Sequence, residues 1–448
     1  MPFRLPSLGI LLAVALSGCT DRPPSAVDPN ATGLNKLNHI IVIYLENRSF
    51  DHLYGEFPGA DGFSSASLFP QVDDGGAPYQ TLPQPSGSPA PNGLPNAPFN
   101  LDKYVSITQP TRDAVHSFYE EQGQIDGGKM DRFVVVSDAQ GLVMGEYHTG
   151  ELPLSREATT YTLCDRFFHA AFGGSFLNHF WAIAAATPVF PNAPDYQVVT
   201  ISAGRVVKNG TVTPDGYVIN NLESVNTPHS ASGDPASRVP SQTMPTIGDR
   251  LTEKGLNWAW FSEGWETAKL GAPPNGFAFH HQPFAYFANY ADGTVGRAQH
   301  LRSLHEFDLA ARAGLLPAVS FVQPLDTHSE HPGNSLLAGE QEILRIINEV
   351  RDGPQWEDAA IIITYDENGG FWDHVAPPAG DRWGPGTRVP TIVISPYAKK
   401  GFVDHTIYDT TSILALIEHR WGLSPLSSRD AAANDMQNSF DFTQLPGN

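Results

Sequence analysis

The sequence is short of basic residues and of charged residues in general. Lys and Arg number 27 against 48 for Asp and Glu, the formal net charge is −21, and charged residues make up only 17% of the chain. Nucleic acids and anionic membrane surfaces are bound by basic patches, so this acidic balance argues against both as general partners. An anionic substrate would have to be attracted locally, by a metal ion, by histidines or by helix ends.

Long hydrophobic runs are also missing. Arg4 and the apolar residues 8–16 have the form of a secretory signal, but this run is too short to span a bilayer, and no other segment is long or apolar enough. The run leads into Leu16-Ser17-Gly18-Cys19, which looks like a bacterial lipoprotein cleavage box. We therefore expect residues 1–18 to be a lipoprotein signal peptide. An ordinary secretory signal is the alternative.

Only two residues, Cys19 and Cys164, are cysteines. If Cys19 carries lipid, Cys164 has no partner, so no internal disulfide can form even in an oxidising compartment. Residues 19–37, which contain several prolines and polar residues, are then predicted to be a tether. The protein is expected to be exported to the bacterial cell envelope, periplasmic or at the surface, where the lipid on Cys19 attaches it to the membrane.

What the sequence does contain is two stretches in which oxygen-bearing side chains follow an apolar strand. Residues 359–363 form one such strand and residues 40–45 the other. The carboxyl ends of parallel strands meet at one sheet edge, so the side chains that follow would build an oxygen site for a divalent cation. The plainer interpretation is that the acids are solvated loop residues. The four residues of the predicted metal site are Glu46, Asn47, Asp366 and Glu367.

Three motifs carry a family resemblance. They are ENRSFDH at residues 46–52, YDENGGFWDHV at residues 365–375 and GTRVPTIVISP at residues 386–396. Together they resemble the phosphoesterase family that holds bacterial and plant phospholipases C and related acid phosphatases. Because the motifs are long and occur in the expected order, the resemblance is specific.

The resemblance implies an α/β fold of alkaline-phosphatase-like type. Its central sheet is expected to be mainly parallel, with helices on both faces and long loop insertions. One catalytic domain is predicted over residues 38–448, with insertions near residues 64–100 and 198–239. A single divalent metal ion of unknown identity is the implied cofactor.

Ser175 follows Gly173-Gly174 and begins an apolar, alanine-rich helix. The start of a helix presents free backbone N–H groups, which favour an anion such as a phosphoryl group. Asn178 lies three residues further on, on the same helical face. By resemblance, Ser175 is the catalytic nucleophile and a metal ligand, and Asn178 donates to the phosphoryl group. The alternative is that Ser175 only caps the helix.

Histidines complete the predicted site. Within residues 112–133, a helix that carries His116 is expected to run into the Gly127-Gly128 turn. The resemblance favours the His-x-Pro-Phe segment and a Glu-His-Pro segment as further sources of phosphate-facing histidines. His280, beside the first of these, is a candidate substrate-binding residue. The resemblance implies that three histidines bind the phosphoryl oxygens and that one of the three protonates the leaving alcohol. These histidines are His116, His281 and His331.

The expected activity is metal-dependent hydrolysis of a phosphate ester through a phosphoserine intermediate. Monoesters are expected first, as in acid phosphatases, because Leu177-Asn178-His179 stands where phospholipase members often have Pro-Asn-Arg, and because three histidines suit a dianion. The alternative is a phospholipase C-like phosphodiesterase that acts on a phospholipid. A non-catalytic surface lipoprotein is the third interpretation, but neither the metal pairs nor the nucleophile is missing.

Overall fold

The structure is a computed structural model that describes residues 31–63, 70–203 and 205–446. Cys19 and the predicted signal peptide, residues 1–18, lie outside these ranges, as does most of the predicted tether. The proposed lipid attachment therefore stays a prediction. Within the described ranges, no helix has both the length and the apolar character needed to cross a membrane.

A central eight-stranded sheet organises the molecule, in the order β13, β4, β12, β11, β1, β10, β8, β9. Only β12 runs antiparallel to its neighbours β11 and β4, and the other pairs are parallel. The strands are β1 (His39–Leu45), β2 (Phe99–Asn100), β3 (Gly145–Glu146), β4 (Thr162–Cys164), β5 (Phe167–Phe168), β6 (Thr200–Ser202), β7 (Arg205–Lys208), β8 (Trp258–Ser262), β9 (Leu301–Ser303), β10 (Val319–Gln323), β11 (Ala359–Tyr365), β12 (Thr391–Ile394), β13 (Phe402–Asp404) and β14 (Tyr408–Asp409).

Helices surround this sheet, which confirms the predicted α/β class with a mainly parallel sheet. The predicted insertion at 198–239 contains the β6–β7 hairpin, and residues 70–98 contain neither helix nor strand. The α-helices are α1 (Phe50–Tyr54), α2 (Phe118–Ile125), α3 (Phe133–Val136), α4 (Pro153–Thr160), α5 (Ser175–Ala184), α6 (Ile247–Glu253), α7 (Trp265–Ala268), α8 (Val295–His300), α9 (Leu304–Ala313), α10 (Leu336–Arg351), α11 (Thr410–Trp421) and α12 (Ser428–Ala432).

Strands β1 and β11 form the middle of the core. Every residue of both strands is buried, as expected for a parallel strand covered on both faces. Their sequences, HIIVIYL and AAIIITY, are rich in β-branched residues, and each fully buried isoleucine contributes roughly 1.5–3 kcal/mol to folding.

The register of these strands places the site. Leu45 pairs with Tyr365, and β10 pairs with β1 on its other side. The residues that follow β1 and β11, Glu46 and Asp366, therefore leave the sheet side by side. The sequence pattern predicted this arrangement, and the structure confirms it.

The predicted helix around His116 is wrong in its start. A helix that carries His116 and runs into the glycine turn at 127–128 was expected, but α2 begins only at Phe118, after Ser117 in the extended N-cap conformation. It ends at Ile125, and Asp126 holds the C-cap position with a φ of 45°, directly before the glycine turn. His116 therefore lies on an extended segment, which brings its ring over the start of α5 rather than along a helix face.

Candidate active site

Asp366 is fixed at the sheet edge by backbone donors. Its N–H donates to the Leu45 carbonyl at 2.9 Å, and its Oδ1 accepts from the N–H groups of Asn47 at 2.9 Å and Glu367 at 2.7 Å. Its Oδ2 is buried and has no hydrogen-bond partner among the described residues. One oxygen therefore positions the carboxylate, and the other is left for a ligand.

Glu46 and Glu367 complete a buried acidic group with Asp366. All three side chains are buried, and no Arg or Lys of the described ranges forms an ion pair with any of them. Burial and the charge of Asp326 raise the pKa of Glu46 to about 8, and burial and Glu46 raise that of Asp366 to about 8. Burial and Asp366 raise the pKa of Glu367 well above its ordinary value. The basic side chains in ion-pair contact with the group in the described ranges are His116, His179 and His281, so it has no permanent cation as counter-charge.

Ser175 is the first residue of α5, and Gly174 holds the N-cap position, so the interpretation of Ser175 as the cap is wrong. Its Oγ donates to Asn47 Oδ1 at 3.4 Å, which places the hydroxyl at the acidic group. Asn47 itself has a φ of 64°, a conformation that asparagine tolerates better than most residues. The first N–H groups of a helix such as α5 have no partner within the helix, and Ser175 is the first residue of α5.

Gly173 allows the close approach on which this corner depends. It has a φ of 87°, and a Cβ there would lie 2.5 Å from the Phe118 nitrogen. Its N–H donates to Glu121 Oε2 at 2.6 Å, and the other oxygen of that buried carboxylate lies 2.8 Å from His169 Nε2. The loop before Ser175 is thus held against α2 by a glycine and a buried acid.

The Asn178 side chain is occupied by this same loop. Its Nδ2 donates to the carbonyls of Ala171 at 3.0 Å and Gly173 at 3.1 Å, and its Oδ1 accepts from the Ala171 N–H at 3.0 Å. Asn178 therefore lies close to Ser175, but its amide holds the loop before Ser175 and does not face the acidic group. Its predicted contact with phosphate would require these bonds to be exchanged.

His281 contacts the acidic group directly. Its Nε2 lies 3.2 Å from Glu46 Oε1 and 3.5 Å from Asp326 Oδ1, and both ring nitrogens are buried without a well-aligned hydrogen bond. His179 stacks on this ring with centroids 5.5 Å apart. Gln323 donates to Glu46 Oε1 at 2.8 Å.

Sequence reasoning did not place three of these neighbours in the site: His179, Gln323 and Asp326. A signal for His179 was available, because it lies four residues after Ser175 and hence on the same helical face. Burial and the nearby His281 lower its pKa to about 4. Gln323 is the last residue of β10, so its position at the sheet edge also follows from the strand order.

The other predicted histidines differ in their burial and in their contacts with the acidic group of Glu46, Asp366 and Glu367. His116 Nε2 lies 3.2 Å from Asn47 Nδ2 and 3.7 Å from Glu367 Oε1, and its side chain is 21% exposed. His280 is buried beside His281, with ring centroids 5.0 Å apart. Burial lowers the pKa of His331 to about 4, and His116 and His281 act in the same direction. No direct contact joins His331 to the carboxylates in the described ranges.

A second buried acidic group lies in the same motifs and includes a cation. Arg388 donates from Nε to Asp373 Oδ1 at 2.8 Å and from Nη2 to Asp51 Oδ1 at 2.9 Å. His374 donates its N–H to Asp51 Oδ2 at 2.7 Å, and its Nδ1 lies 2.6 Å from the same oxygen. This second group connects all three motifs and is neutralised by the guanidinium.

The first group fits a divalent cation. Ligand atoms of Glu46, His179 and Asp366 lie within 4.8 Å of one another, and so do those of Glu46, His280 and His281. The carboxylates and the Asn47 amide are hard oxygen donors, and a serine hydroxyl is adjacent. The buried oxygens Asp366 Oδ2 and Glu367 Oε1 accept no hydrogen bond from any described residue. The donor set can therefore hold a metal beside a serine hydroxyl.

Comparison with known proteins agrees with this chemistry. The profile of the Phosphoesterase family matches residues 37–424. Phospholipase C B of Mycobacterium tuberculosis is 28% identical over 92% of this chain and 79% of its own length. The non-hemolytic phospholipase C of Pseudomonas aeruginosa is 25% identical over 91% of this chain and 58% of its own. Non-specific phospholipase C1 of Arabidopsis thaliana is 25% identical over 91% and 71%.

Among solved structures, a protein of the alkaline phosphatase superfamily from Vibrio parahaemolyticus aligns with 66% of this chain and 65% of its own. The sequence identity is 13% and the TM-score is 0.36. A similarity this low adds nothing to the fold described above.

Proposed function

The chain belongs to the Phosphoesterase family and is a hydrolase of phosphoric esters, and we propose that it is a phospholipase C-type phosphodiesterase that uses Ser175 as its nucleophile. The observation that carries the proposal is the position of the Ser175 hydroxyl, 3.4 Å from Asn47 at the edge of a buried acidic group without a counter-charge. A structural serine would be expected to hydrogen-bond within its own helix, as Ser49 does at the start of α1.

Glu46, Asn47, Asp366 and Glu367 would hold the metal, together with Ser175 Oγ. A divalent cation bound there would neutralise phosphoryl charge and lower the pKa of the serine hydroxyl. The residues themselves supply the rest of the arrangement. Asn47 orients Ser175 Oγ, and the first N–H groups of α5 point toward the phosphoryl oxygens.

In the proposed reaction, the Ser175 hydroxyl gives up its proton to solvent, Oγ bonds to phosphorus, and the bond from phosphorus to the leaving alcohol breaks as that oxygen takes up a proton. A phosphodiester substrate gives a phosphoserine ester that carries the head group. Water then bonds to phosphorus, the bond to Oγ breaks as Oγ takes back a proton, and the phosphorylated head group leaves. We assign proton transfer to the leaving oxygen to His116, because it contacts Asn47 beside the nucleophile and is partly exposed. His281 is more deeply buried, against Glu46.

The relatives favour the diester alternative over the monoester preference suggested by the histidines and by Leu177-Asn178-His179. Three phospholipases C from bacteria and a plant align with more than nine tenths of this chain. The acid phosphatase interpretation is retained as a second candidate. It is supported by two of the three histidines predicted to bind a dianion, since His116 lies 3.7 Å from Glu367 and His281 lies 3.2 Å from Glu46.

A matched panel of p-nitrophenyl phosphate, p-nitrophenylphosphocholine and phosphatidylcholine vesicles separates the two candidates. Purified protein should show a kcat/KM for the choline diester at least tenfold above that for the monoester, about 1.4 kcal/mol in transition-state binding. The Ser175→Ala variant provides the background rate. A tenfold preference for the monoester would replace the phospholipase proposal with the phosphatase one.

Attachment through lipid on Cys19 would hold such an enzyme at a membrane, near phospholipid. A Cys19→Ser variant should then lose lipid labelling and fractionate without the membrane while it keeps activity on the soluble diester. Membrane association that survives this substitution would contradict the proposed anchor.

A further inference from the structure

A third group of titratable side chains lies apart from the two buried acidic groups, near the surface. Glu56 follows α1, Glu146 is the last residue of β3, and His148 lies two residues further along. One ligand atom from each, two carboxylate oxygens and an imidazole nitrogen, lie within 4.8 Å of one another. His148 Nε2 is 3.3 Å from Glu56 Oε2.

The Glu146 side chain is the feature that needs an explanation. The residue is only 8% exposed, and its carboxylate makes no hydrogen bond or ion pair with any described residue, although its oxygen reaches the cluster. A carboxylate that the fold mostly shields from water and leaves without a partner costs free energy, so its position favours a counter-charge bound at the cluster. Burial and the charges of Glu56 and Asp51 raise its pKa to about 8.

The backbone around the cluster is fixed before any ligand arrives. Strand β3 pairs with β2, and the carbonyl of Gly145 lies 2.8 Å from His52 Nδ1. The His148 N–H donates to Asp102 Oδ2 at 2.8 Å, and Asn100 Nδ2 lies 2.8 Å from both nitrogens of its ring. Binding of a cation at Nε2 leaves Nδ1 available to Asn100.

The cluster is also accessible. It lies beside a surface cavity of about 440 Å³ that Glu56, Tyr147 and His148 help to line. The side chains of Glu56 and His148 are 54% and 48% exposed, whereas Glu146 is buried. A cation can therefore enter from solvent, and water can complete its coordination.

We propose that Glu56, Glu146 and His148 form a second metal site, which binds a divalent transition-metal ion of the Zn²⁺ class. One imidazole nitrogen and two carboxylate oxygens form the three-ligand set that leaves a position for water on zinc. Ca²⁺ and Mg²⁺ prefer oxygen ligands alone, so the histidine disfavours them. The site is independent of the proposed phosphodiesterase activity.

The test uses full-length protein carrying Asp366→Asn, so that the first acidic group is impaired and the surface site is left to bind. After removal of metal with a chelator, titration with ZnCl₂ is followed by calorimetry. We expect about one equivalent to bind, and Glu146→Gln, which keeps the side-chain volume, to weaken binding by more than about tenfold. The Glu151→Gln control, a carboxylate beside the same cavity paired with Arg156, should bind as its parent does.

His148→Ala provides a second test, since that side chain is half exposed and its loss should leave the fold intact. Zinc should raise the melting temperature of the parent and of the Glu151→Gln control, but not of the Glu146→Gln or His148→Ala proteins. Zinc affinity that is unchanged in either of these variants, or no zinc binding by the parent, would overturn the proposal.

Discussion

Two buried acidic groups lie at one end of the sheet, and the acids of both come from the motifs at residues 46–52 and 365–375. In one, Asp51 and Asp373 surround the Arg388 guanidinium, which donates to both carboxylates. In the other, Glu46 and Asp366 meet without an arginine or lysine of the described ranges in ion-pair contact. The Arg388 group contains its own counter-charge, and the Asp366 group requires one from outside.

This difference separates a structural element from a reactive site. A buried arginine that donates to two carboxylates and two backbone carbonyls ties distant segments together. A buried acidic group with unpartnered oxygens instead destabilises the protein until a cation binds. Proximity of acids is therefore a weaker indicator of metal binding than their charge balance.

The largest effect is expected for Ser175→Ala, which tests whether catalysis belongs to the group without a counter-charge. Loss of the proposed nucleophile should lower kcat/KM by more than about 10³-fold, or about 4 kcal/mol, with little change in the melting temperature. Ser49→Ala is the matched control, because Ser49 is also a buried serine, but one that caps α1 and bonds to Trp372. It should lose about 1 kcal/mol of stability and keep its turnover.

Equal loss of turnover in both serine variants would remove the distinction between the two groups. Stopped assays with the choline diester and urea unfolding of the same preparations provide both quantities.

Next in size is the effect of Arg388→Met on stability. The variant leaves Asp51 and Asp373 buried without their cation, so unfolding free energy should fall by about 3–5 kcal/mol. The change should appear as a lower denaturant midpoint, whether or not a metal is present. A stability within 1 kcal/mol of the parent, on the scale of an ordinary surface substitution, would show that the guanidinium does not hold this region together.

Smaller changes in stability are expected for Asp366→Asn and Asp373→Asn, which make the same isosteric change in each group. Their signs distinguish the two groups. In chelator, Asp366→Asn should raise stability by on the order of 1 kcal/mol, because a buried like-charge repulsion is removed. Asp373→Asn should lower it by about 2–4 kcal/mol, because Arg388 loses a charged partner. Shifts of the same sign in the two variants would contradict the proposed difference in charge balance.

The smallest effect concerns pH. Burial alone would lower the pKa of His374, but its bond to Asp51 and the charge of Asp373 raise it, against the opposing charge of Arg388. A raised histidine pKa stabilises the fold fully below about pH 6.5, and this stabilisation is lost as pH rises through the folded-state pKa. His374→Asn should therefore flatten the decline of unfolding free energy above that pH. An unchanged pH profile would show that Asp51 does not stabilise the charged ring.

Much of the fold and part of the site could be predicted from the sequence. The apolar runs of β1 and β11 identified the central strands, and their register brings Glu46 beside Asp366, as expected for parallel neighbours. The start of α5 at Ser175 followed from the glycine pair before an apolar helix. Local patterns sufficed here because strands and helix starts are encoded by consecutive residues.

The rest depended on contacts between distant segments. No local pattern shows that Asn178 would bond to the loop carbonyls, or that His116 would precede its helix. Likewise, the motifs that contain Asp51 and Asp366 resemble the family equally well. Only the packing of Arg388 against Asp51 distinguishes the environments of these two acids.

An anomalous-difference map of crystals grown with Mn²⁺ or Zn²⁺ would show which acidic group binds a metal ion. We expect a peak at a coordination distance of about 2.0–2.6 Å from Asp366 and Glu46, next to Ser175 Oγ, and none between Asp51 and Asp373. A map without a peak at Asp366, or with the ion displacing Arg388 from Asp373, would contradict this expectation.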